Sequence, residues 1–359
     1  MFSPDDHYYM QTALNFARRG LGRTAPNPAV GCVIVKGGHI LATARTADGG
    51  RPHAEKSALA KAGDQAIGAT VYVTLEPCSH EGQSGSCAMA LIDAGVKRVV
   101  AACTDPNPAV SGAGLNMMRE AGICVDLGLL EREAIDLNQG FFLTLAENRP
   151  FITLKTAVSA DGFVSAKRGE QTWITNSLAR LKAHHLRAVH DGILCGIGTI
   201  KTDDPHLTTR VDGLVHKSVR IILDSALSIT EDANVVQSAR DEPLWIFYET
   251  GEPAHKMALQ DMGADLFQCN TRNLSSILKI LSERGLTRIL VEGGPHIHQS
   301  FIKAGLFDDI AVFQSPVKLG GGVPAFTDFS PDSINKALNL IVKKRIYLGD
   351  DTLTLYIRA

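Results

Sequence analysis

Hydrophobic and polar residues alternate with two different periods along the first part of the chain. Helices are predicted where apolar positions recur every three or four residues, and strands where aliphatic residues run together between turn residues. The predicted elements, in chain order, are a helix over 4–19, a hairpin with strands over 29–35 and 40–43, a helix over 53–61, a strand over 70–75, a helix over 87–94, a strand over 96–103, a helix over 114–121 and a strand over 123–126. Strands that alternate with helices indicate a sheet covered by helices on both faces.

The first helix carries a clear start signal. Ser3 is placed to cap it, Pro4 to occupy its first turn and Asp6 to complete a capping box, while Gly20 is a residue type favoured just after a helix. We therefore expect the chain to begin with an ordered helix.

A polar stretch over residues 146–150 interrupts the alternation, and a new strand-rich run opens at Phe151. The boundary predicted there gives one domain over 1–146 and a second over 150–359. In the second half we predict strands near 151–155, 191–196, 219–223, 244–248, 264–267, 288–291, 309–313, 343–348 and 352–357, and helices near 177–189, 253–262, 273–284 and 296–304. The second domain is therefore also α/β.

Composition and charge narrow the class of protein. A chain of 359 residues is long enough for two domains with separate cores, and 45% hydrophobic and 21% charged residues are typical of globular proteins. With 36 Lys and Arg against 38 Asp and Glu, the net charge of −2 provides no basic surface for nucleic acid or an anionic membrane. The N-terminus has no signal-peptide core and no apolar run is long enough for a membrane helix, so we expect a soluble, cytoplasmic protein.

Four residues of the first domain form a zinc-site pattern, namely His53, Glu55, Cys78 and Cys87. One imidazole and two thiolates supply three zinc ligands and leave the fourth position for water, as catalytic zinc sites do. Glu55, on the first turn of a helix, can face that water and carry its proton to a leaving amine. Cys78 follows Pro77 at a predicted helix start, where the helix dipole favours a thiolate. The pattern predicts a hydrolytic metal centre.

Other interpretations of these residues stay open. A His-x-Glu pair is common by chance, and two cysteines can be buried as small apolar residues. The zinc-deaminase signature usually separates its cysteines by two residues, whereas eight separate them here. The remaining cysteines lie in predicted strands or strand ends and are interpreted as core residues: Cys32, Cys103, Cys124, Cys195 and Cys269.

Two competing functions follow from the same residues. A nucleoside or nucleic-acid deaminase with an unrelated second domain is one, and the charge balance disfavours a nucleic-acid substrate. A non-catalytic domain stabilised by zinc is the other, and the open fourth coordination position disfavours it because structural zinc is usually closed by four protein ligands.

Several motifs together carry a resemblance to a known family. They are Thr74-Leu75-Glu76-Pro77-Cys78-Ser79-His80, Pro26-Asn27-Pro28 with Val30-Gly31, Asp105-Pro106-Asn107-Pro108, and Leu137-Asn138 with Gly140-Phe141. In this order they resemble the deaminase domain of bacterial bifunctional riboflavin-biosynthesis enzymes. The resemblance covers essentially the whole chain and implies a cytidine-deaminase-like three-layer α/β/α domain followed by a dihydrofolate-reductase-like α/β domain.

The resemblance assigns roles to residues of the first domain. It implies that His53, Cys78 and Cys87 hold Zn2+, that Glu55 is the catalytic proton carrier, and that Asn27 contacts the pyrimidine.

Two features of the first domain depart from the family pattern. Thr46 stands where a histidine is usual, and the segment 81–86 lacks the usual arginine and paired prolines. His80 is interpreted either as a contact to the substrate phosphate or base, or as a loop-stabilising side chain. The substrate contacts of this loop therefore stay open, whereas the metal site does not depend on them.

A glycine motif of the second domain, Glu292-Gly293-Gly294-Pro295, lies between a predicted strand and a predicted helix. Backbone amides can approach a phosphate at such a helix start. A purely structural turn is the alternative, because the motif is not the spaced dinucleotide fingerprint. Further motifs that follow predicted strands are found at 155–162, 196–199 and 202–210.

The resemblance extends to these motifs and implies NADPH as the cofactor. The implied cofactor contacts are Ala157, Trp173, Thr199, Asp203, Ser225, Gly294, Pro295 and His296. The implied substrate contacts of this domain are Gln171, Arg187, Leu207, Arg210 and Glu292. Arginine forks suit the oxygens of a ribose phosphate. A core position for Trp173 and a solvated helix face for Arg187 are the alternatives.

The resemblance as a whole implies a bifunctional enzyme of riboflavin biosynthesis. The first domain would hydrolytically deaminate 2,5-diamino-6-(5-phosphoribosylamino)pyrimidin-4-one, and the second would reduce the ribosyl chain to ribityl with hydride from NADPH, with Asp203 near C1′. The expected partner is this phosphoribosylated pyrimidine, without nucleic acid or membrane, and the formation of a homo-oligomer stays open.

Overall fold

The computed structural model describes residues 2–79, 85–107, 111–167, 169–170, 172–213, 216–328 and 330–359. His80, Gln171 and most of the segment 81–86 lie outside these ranges, and so do the predictions made for them. The chain forms two compact units, Met1–Asn148 and Arg149–Ala359. Within the described ranges, no helix combines the length and the apolar character that a bilayer crossing requires.

The first unit alternates helices and strands as the sequence predicts. Its elements are α1 (Pro4–Arg18), β1 (Gly31–Lys36), β2 (His39–Arg45), α2 (Ala54–Ala62), β3 (Thr70–Val73), α3 (Cys87–Asp93), β4 (Arg98–Ala101), α4 (Ala113–Glu120), β5 (Cys124–Leu127), α5 (Glu131–Leu137) and α6 (Gln139–Glu147). The sequence analysis did not predict α5 and α6. The run 141–146 is apolar on nearly all sides, so α6 gives no clear amphipathic period.

The strands of this unit form one sheet in the order β2-β1-β3-β4-β5. β1 pairs antiparallel with β2 and β3, and β3, β4 and β5 run parallel. Helix α1 packs closely on β1, because a Cβ atom at Gly31 would overlap the backbone of Ala13. The apolar faces of α1, β1, β3 and β4 meet in a single hydrophobic core.

The predicted capping box at the start of α1 is confirmed. Ser3 Oγ accepts the amide of Asp6 at 3.1 Å, and Asp6 Oδ2 accepts the amide of Ser3 at 2.8 Å. The other oxygen of Asp6 accepts hydrogen bonds from the Tyr72 hydroxyl at 2.7 Å and from Arg98 at 2.6 Å. This buried carboxylate therefore joins α1 to strands β3 and β4.

The second unit opens with a strand, as predicted, and continues as an α/β domain. Its elements are β6 (Phe151–Val158), β7 (Phe163–Ser165), α7 (Ser177–Ala188), β8 (Gly192–Gly196), α8 (Ile197–Asp203), β9 (Val219–Leu223), α9 (Asn234–Gln237), β10 (Leu244–Tyr248), α10 (Pro253–Asp261), β11 (Ala264–Gln268), α11 (Leu274–Glu283), β12 (Arg288–Glu292), α12 (Pro295–Ala304), β13 (Asp309–Gln314), β14 (Val323–Pro324), α13 (Ile334–Ala337), β15 (Leu340–Leu348) and β16 (Asp351–Arg358). The elements that were not predicted are the short ones, β7, α8, α9, β14 and α13.

A nine-stranded sheet organises this unit in the order β11-β10-β9-β8-β12-β6-β13-β16-β15. The strands from β11 to β13 are parallel, and the hairpin of β15 and β16 adds two antiparallel strands. The carboxyl ends of the parallel strands β6, β8, β12 and β13 therefore meet at one edge, where open α/β sheets bind ligands.

The prediction that the scattered cysteines are core residues is correct for Cys32, Cys103 and Cys195, which are buried. It is wrong for Cys124, which is exposed, and Cys269 is only half-buried. Cys124 begins β5, and β5 is the edge strand of its sheet, so its side chain is not covered by a neighbouring strand on both sides.

Candidate functional site

The three predicted metal ligands of the first unit come together, although 34 positions separate the first from the last. His53 Nδ1 lies 3.7 Å from Cys78 Sγ and 3.4 Å from Cys87 Sγ, and all three ligand atoms lie within 4.8 Å of one another. Zinc bonds of about 2.0 Å to nitrogen and 2.3 Å to sulfur at a tetrahedral angle separate nitrogen from sulfur by roughly 3.5 Å. The donor set and its spacing therefore fit zinc.

Loop and helix starts hold the three ligands. His53 is the N-cap residue of α2 and Cys87 is the first residue of α3. Ser86, the N-cap residue directly before the ligand Cys87, connects α3 to the other sulfur ligand. Its hydroxyl accepts the amide of Met89 at 3.2 Å and donates to the carbonyl oxygen of Cys78 at 2.8 Å. With Nδ1 directed at the two thiols, His53 Nε2 is buried and has no partner within the described part of the chain.

The predicted position of Cys78 at a helix start is wrong. Cys78 lies in the irregular segment 76–79, and the next described helix is α3, which begins at Cys87. An amide at that helix start nevertheless reaches the sulfur, because the Cys87 N–H donates to Cys78 Sγ at 3.4 Å. Hydrogen bonds from Cys87 and from His53 lower the pKa of Cys78 to about 4. Its thiolate is therefore favoured, as a metal ligand requires.

Glu55 occupies the first turn of α2, two residues after the histidine ligand, and its side chain is buried. Burial raises its pKa to about 7. A carboxyl group with a pKa near neutrality can both accept and give a proton, so Glu55 has the properties of a general acid and base beside a metal-activated water.

Thr46, which stands where the family usually has a histidine, makes hydrogen bonds to the backbone next to Asn27, the predicted pyrimidine contact. Asn27 Nδ2 donates to the carbonyl oxygen of Gly50 at 3.2 Å. The buried Thr46 accepts the amide of Val30 at 3.0 Å and donates to the carbonyl oxygen of Pro28 at 3.1 Å. Thr46 therefore has a structural role in this chain.

The Asn138 side chain connects two of the family motifs, the one at residues 137–141 and the one at residues 26–31. Its side chain is buried and makes a pair of hydrogen bonds to Ala29, whose amide donates to Asn138 Oδ1 at 2.9 Å and whose carbonyl oxygen accepts from Nδ2 at 3.1 Å. Asn138 thus fixes the backbone two residues from Asn27. Sequence spacing gave no signal for this pairing, because 109 positions separate the partners.

In the second unit, three charged side chains meet where the last residue of β12 pairs with the middle of β6. Arg187 of α7 makes two hydrogen bonds to Glu292, at 2.6 and 3.0 Å, and a third to the carbonyl oxygen of Thr208 at 2.8 Å. Lys155, which pairs with Glu292 across the two strands, places its ammonium 3.5 Å from the same carboxylate. No role was predicted for Lys155, although it stands at the end of the strand predicted over 151–155.

This cluster tests one of the two interpretations of Arg187, the solvated helix face. Its side chain is only 13% exposed, so the solvated helix face is wrong. Burial alone would raise the pKa of Glu292, but the charges of Arg187 and Lys155 lower it to about 2. Glu292 is therefore a fixed anion at the site edge.

The predicted substrate contacts at 207 and 210 differ in kind. The side chain of Leu207 is buried in the core and its backbone has a left-handed φ of 53°, so only its backbone is available to a ligand. The Arg210 side chain is exposed, and its amide donates to His184 Nδ1 at 3.3 Å. Arg210 therefore has a guanidinium directed away from the core.

Several of the implied cofactor positions lie at the starts of helices α8 and α12, which follow strands β8 and β12 at the carboxyl edge of the sheet. Gly294 is the N-cap residue of α12, makes no side-chain cap, and has open space where a Cβ would stand, as do Gly196 and Gly198 at the start of α8. Such a cradle fits a dinucleotide phosphate approaching the backbone. The remaining positions are spread over several elements: Pro295 and His296 begin α12, Thr199 lies in the first turn of α8 and Asp203 at its end, Ala157 lies near the end of β6, and Ser225 follows β9.

The alternative of a core position for Trp173 is wrong. Its side chain is 72% exposed, and the guanidinium of Arg180 lies 5.4 Å from the ring centroid. An exposed indole is available to stack on a ligand.

The chain matches two family models. Residues 3–103 match the cytidine and deoxycytidylate deaminase zinc-binding region, and residues 150–354 match the RibD C-terminal domain. The chain is 42% identical over 353 residues to the riboflavin biosynthesis protein RibD of Aquifex aeolicus, with 98% of each chain covered. It is 43% identical over 319 residues to RibD of Bacillus amyloliquefaciens, which covers 88% of this chain and 86% of that protein.

Two solved structures are similar over 99% of both chains. Acinetobacter baumannii RibD has a TM-score of 0.89 at 35% identity. A diaminohydroxyphosphoribosylaminopyrimidine deaminase/5-amino-6-(5-phosphoribosylamino)uracil reductase from Thermotoga maritima has a TM-score of 0.87 at 32% identity.

Proposed function

The chain belongs to the RibD family of bifunctional deaminase/reductases in riboflavin biosynthesis, and we propose the substrate, the cofactor and the residues with which it acts. The predicted order of a zinc-binding deaminase domain and a RibD reductase domain is confirmed by the matched families. A nucleoside deaminase with an unrelated second domain and a non-catalytic zinc domain are thereby excluded.

The deaminase substrate that we propose is 2,5-diamino-6-(5-phosphoribosylamino)pyrimidin-4-one, consistent with the activity named for the relative from Thermotoga maritima. The ligand cluster of His53, Cys78 and Cys87, with Glu55 beside it, carries the proposal. Zinc held by these ligands would activate water at neutral pH. Glu55 would accept a proton from the attacking water and pass it to the departing amine, while Asn27 would orient the pyrimidine.

For the second domain we propose reduction of the ribosyl chain of the deaminated product to ribityl. NADPH would supply the hydride to C1′. The start of α12 suits the cofactor phosphates because no side chain caps the amides of Gly294 and His296, while Pro295 between them has no N–H. Ala157 near the end of β6, Thr199 and Asp203 of α8, Ser225 after β9 and the exposed Trp173 complete the proposed cofactor contacts.

The substrate of this domain is held by charges of both signs. Arg210, with an exposed guanidinium, is the phosphate contact, and Glu292 accepts hydrogen bonds from sugar hydroxyls. Arg187 and Lys155 keep Glu292 ionised. Leu207 contributes its backbone.

Single substitutions in the full chain test the assignment of two separate sites. Glu55→Gln keeps the shape but removes the proton carrier, so ammonia release should fall by about 10²–10⁴-fold. The same variant, given the deaminated compound, should oxidise NADPH at the rate of the unmodified protein. Asp203→Ala should give the reverse pattern.

Two exposed positions supply matched controls. Glu120→Gln on α4 and Asp265→Ala on the edge strand β11 should leave both activities unchanged. If Glu55→Gln abolishes NADPH oxidation on the deaminated compound while the protein stays folded, the two activities share one site and the proposal is wrong. If the unmodified protein releases ammonia from cytidine but not from the phosphoribosylated compound, the proposed substrate is wrong.

A further inference from the structure

Glu76 lies two residues before the metal ligand Cys78, and its side chain is buried, at 5% exposure. Its backbone amide donates to the carbonyl oxygen of Cys103 at 2.9 Å, which extends the pairing of β3 and β4 beyond the strand ends. The mechanism above gives this carboxylate no role. Burial of a carboxylate is costly unless it is compensated, so its partners need an explanation.

The partners of Glu76 are three backbone amides that follow β4. Glu76 Oε2 accepts from Gly112 at 2.8 Å and from Asp105 at 3.2 Å, and Oε1 accepts from Gly114 at 2.9 Å. Gly112 is the N-cap residue of α4, so the carboxylate lies at the positive end of that helix. The Glu76 side chain thus binds Asp105, in the loop after β4, as well as Gly112 and Gly114 at the start of α4.

The start of α4 also touches the chain beside the metal ligand. A Cβ atom at Gly114 would overlap the carbonyl oxygen of Pro77, the residue directly before Cys78. Helix α4 packs in turn on α3, which begins with the ligand Cys87. Helix α4 therefore contacts the segments that carry both sulfur ligands, Cys78 and Cys87, and its position affects the distance between them. Glu76 holds the start of α4 in this position.

We propose that Glu76 is a positioning residue of the deaminase metal centre, a role that rests on the proposed deaminase function. Its negative charge, through the three amides, holds Asp105 and the start of α4 against the segment that carries Cys78. Without this charge, the distance between Cys78 and Cys87 is no longer fixed, and the three ligands bind the metal less tightly. Glu76 touches neither metal nor substrate in this role.

Glu76→Gln in the full chain tests the charge at nearly constant volume. Its amide NH2 group faces at least one backbone N–H, so a donor meets a donor. Hydrogen bonds to charged groups contribute enough that we expect zinc release to a chelator to accelerate about tenfold or more. The visible absorption of the cobalt(II)-substituted protein, which reports Cys and His coordination, should weaken or shift, and kcat for ammonia release should fall.

Three controls separate positioning from general damage. NADPH oxidation on the deaminated compound, measured on the same variant, should not change. Glu120→Gln, at the exposed end of the same helix, should match the unmodified protein in zinc release and cobalt spectrum. Glu76→Asp keeps the charge but is too short to reach all three amides, so we expect an intermediate rate of zinc release.

The outcomes are distinct. Unchanged zinc release and an unchanged cobalt spectrum in Glu76→Gln would overturn the proposal. If that variant does not fold, Glu76→Asp decides, and an unmodified rate of zinc release there overturns it as well. If the unmodified protein binds zinc but does not deaminate the proposed substrate, the proposed function fails, while the zinc and cobalt readouts still decide the role of Glu76.

Discussion

Replacing Arg187 by methionine should destabilise the reductase unit strongly, because it removes the main counter-charge of a buried carboxylate. The guanidinium makes two hydrogen bonds to Glu292 and one to Thr208. Both charged side chains are largely buried, at 13% and 10% exposure. Methionine retains much of the apolar volume but no donor, so the salt bridge that remains to Glu292 within the described residues is the one to the ammonium of Lys155, at 3.5 Å.

The magnitude follows from the pKa of Glu292. Burial opposes its ionisation, yet Arg187 and Lys155 lower its pKa from the usual 4.5 to about 2. That difference corresponds to roughly 3 kcal/mol of stability at neutral pH, since each pKa unit is worth about 1.4 kcal/mol. Breaking a buried ion pair by removal of one partner typically costs about 3–5 kcal/mol. We therefore expect Arg187→Met to lower the free energy of unfolding by about 3 kcal/mol.

The sign of the pH dependence is also fixed. Because the folded-state pKa of Glu292 is lowered, its contribution is complete above the unfolded pKa of 4.5 and disappears as the pH falls towards 2. The difference in stability between the variant and the unmodified protein should therefore shrink in acid.

Tryptophan fluorescence in urea can follow this unit selectively, because both tryptophans of the chain, Trp173 and Trp245, lie in it. Lys279→Met is the matched control. Its ion pair with Glu283 is 3.8 Å long and more than 60% exposed, so its loss should cost below about 1 kcal/mol. A cost for Arg187→Met as small as that of the control, or one that grows in acid, would show that Arg187 is not the main counter-charge of Glu292.

Three further predictions concern other sites. Cys87→Ser should lose zinc or most of its zinc affinity, and full metal content by elemental analysis would contradict the ligand assignment. Arg210→Ala should raise the KM for the phosphorylated substrate by about 10-fold or more and hardly alter NADPH binding, whereas the opposite pattern would assign Arg210 to the cofactor. Asp6→Asn should destabilise the first unit by about 3 kcal/mol, measured by hydrogen exchange of peptides from residues 1–148. Although burial opposes its ionisation, hydrogen bonds from Arg98 and Tyr72 lower the pKa of Asp6, so the effect should disappear in acid, and an effect that persists below the pKa would contradict the ion-pair explanation.

The elements that the sequence predicted are those with local signals. The capping box of Ser3 and Asp6 involves residues three apart, and the strand over 244–248 is an apolar run between turn residues. The strand order of the second sheet has no such signal, because β12 lies between β8 and β6, far from both in sequence. The exposure of Cys124 could not be predicted for the same reason, because the sequence does not show that β5 is an edge strand of its sheet.

The metal centre was predictable to the extent that its residue types are chemically restricted. Few functions other than metal binding bring His53, Cys78 and Cys87 together with an acid at 55, so the ligand set could be proposed without a structure. The groups that orient the ligands are backbone amides and hydroxyls, such as the Cys87 amide on the Cys78 sulfur. Because every residue has an amide, sequence carries no signal for them.

The reductase site shows the limit of assigning residues by charge alone. Arg187 and Arg210 are both arginines suited to phosphate, and no feature of the sequence distinguishes their roles. The structure does separate them, because three donors of Arg187 are already bonded within the protein, while the Arg210 side chain is exposed. A phosphate that drew Arg187 away from Glu292 would leave this buried carboxylate with the ammonium of Lys155 at 3.5 Å, at a cost of several kcal/mol. We therefore propose that Arg187 keeps its bonds to Glu292 when the substrate binds, and that the exposed Arg210 is the main phosphate contact.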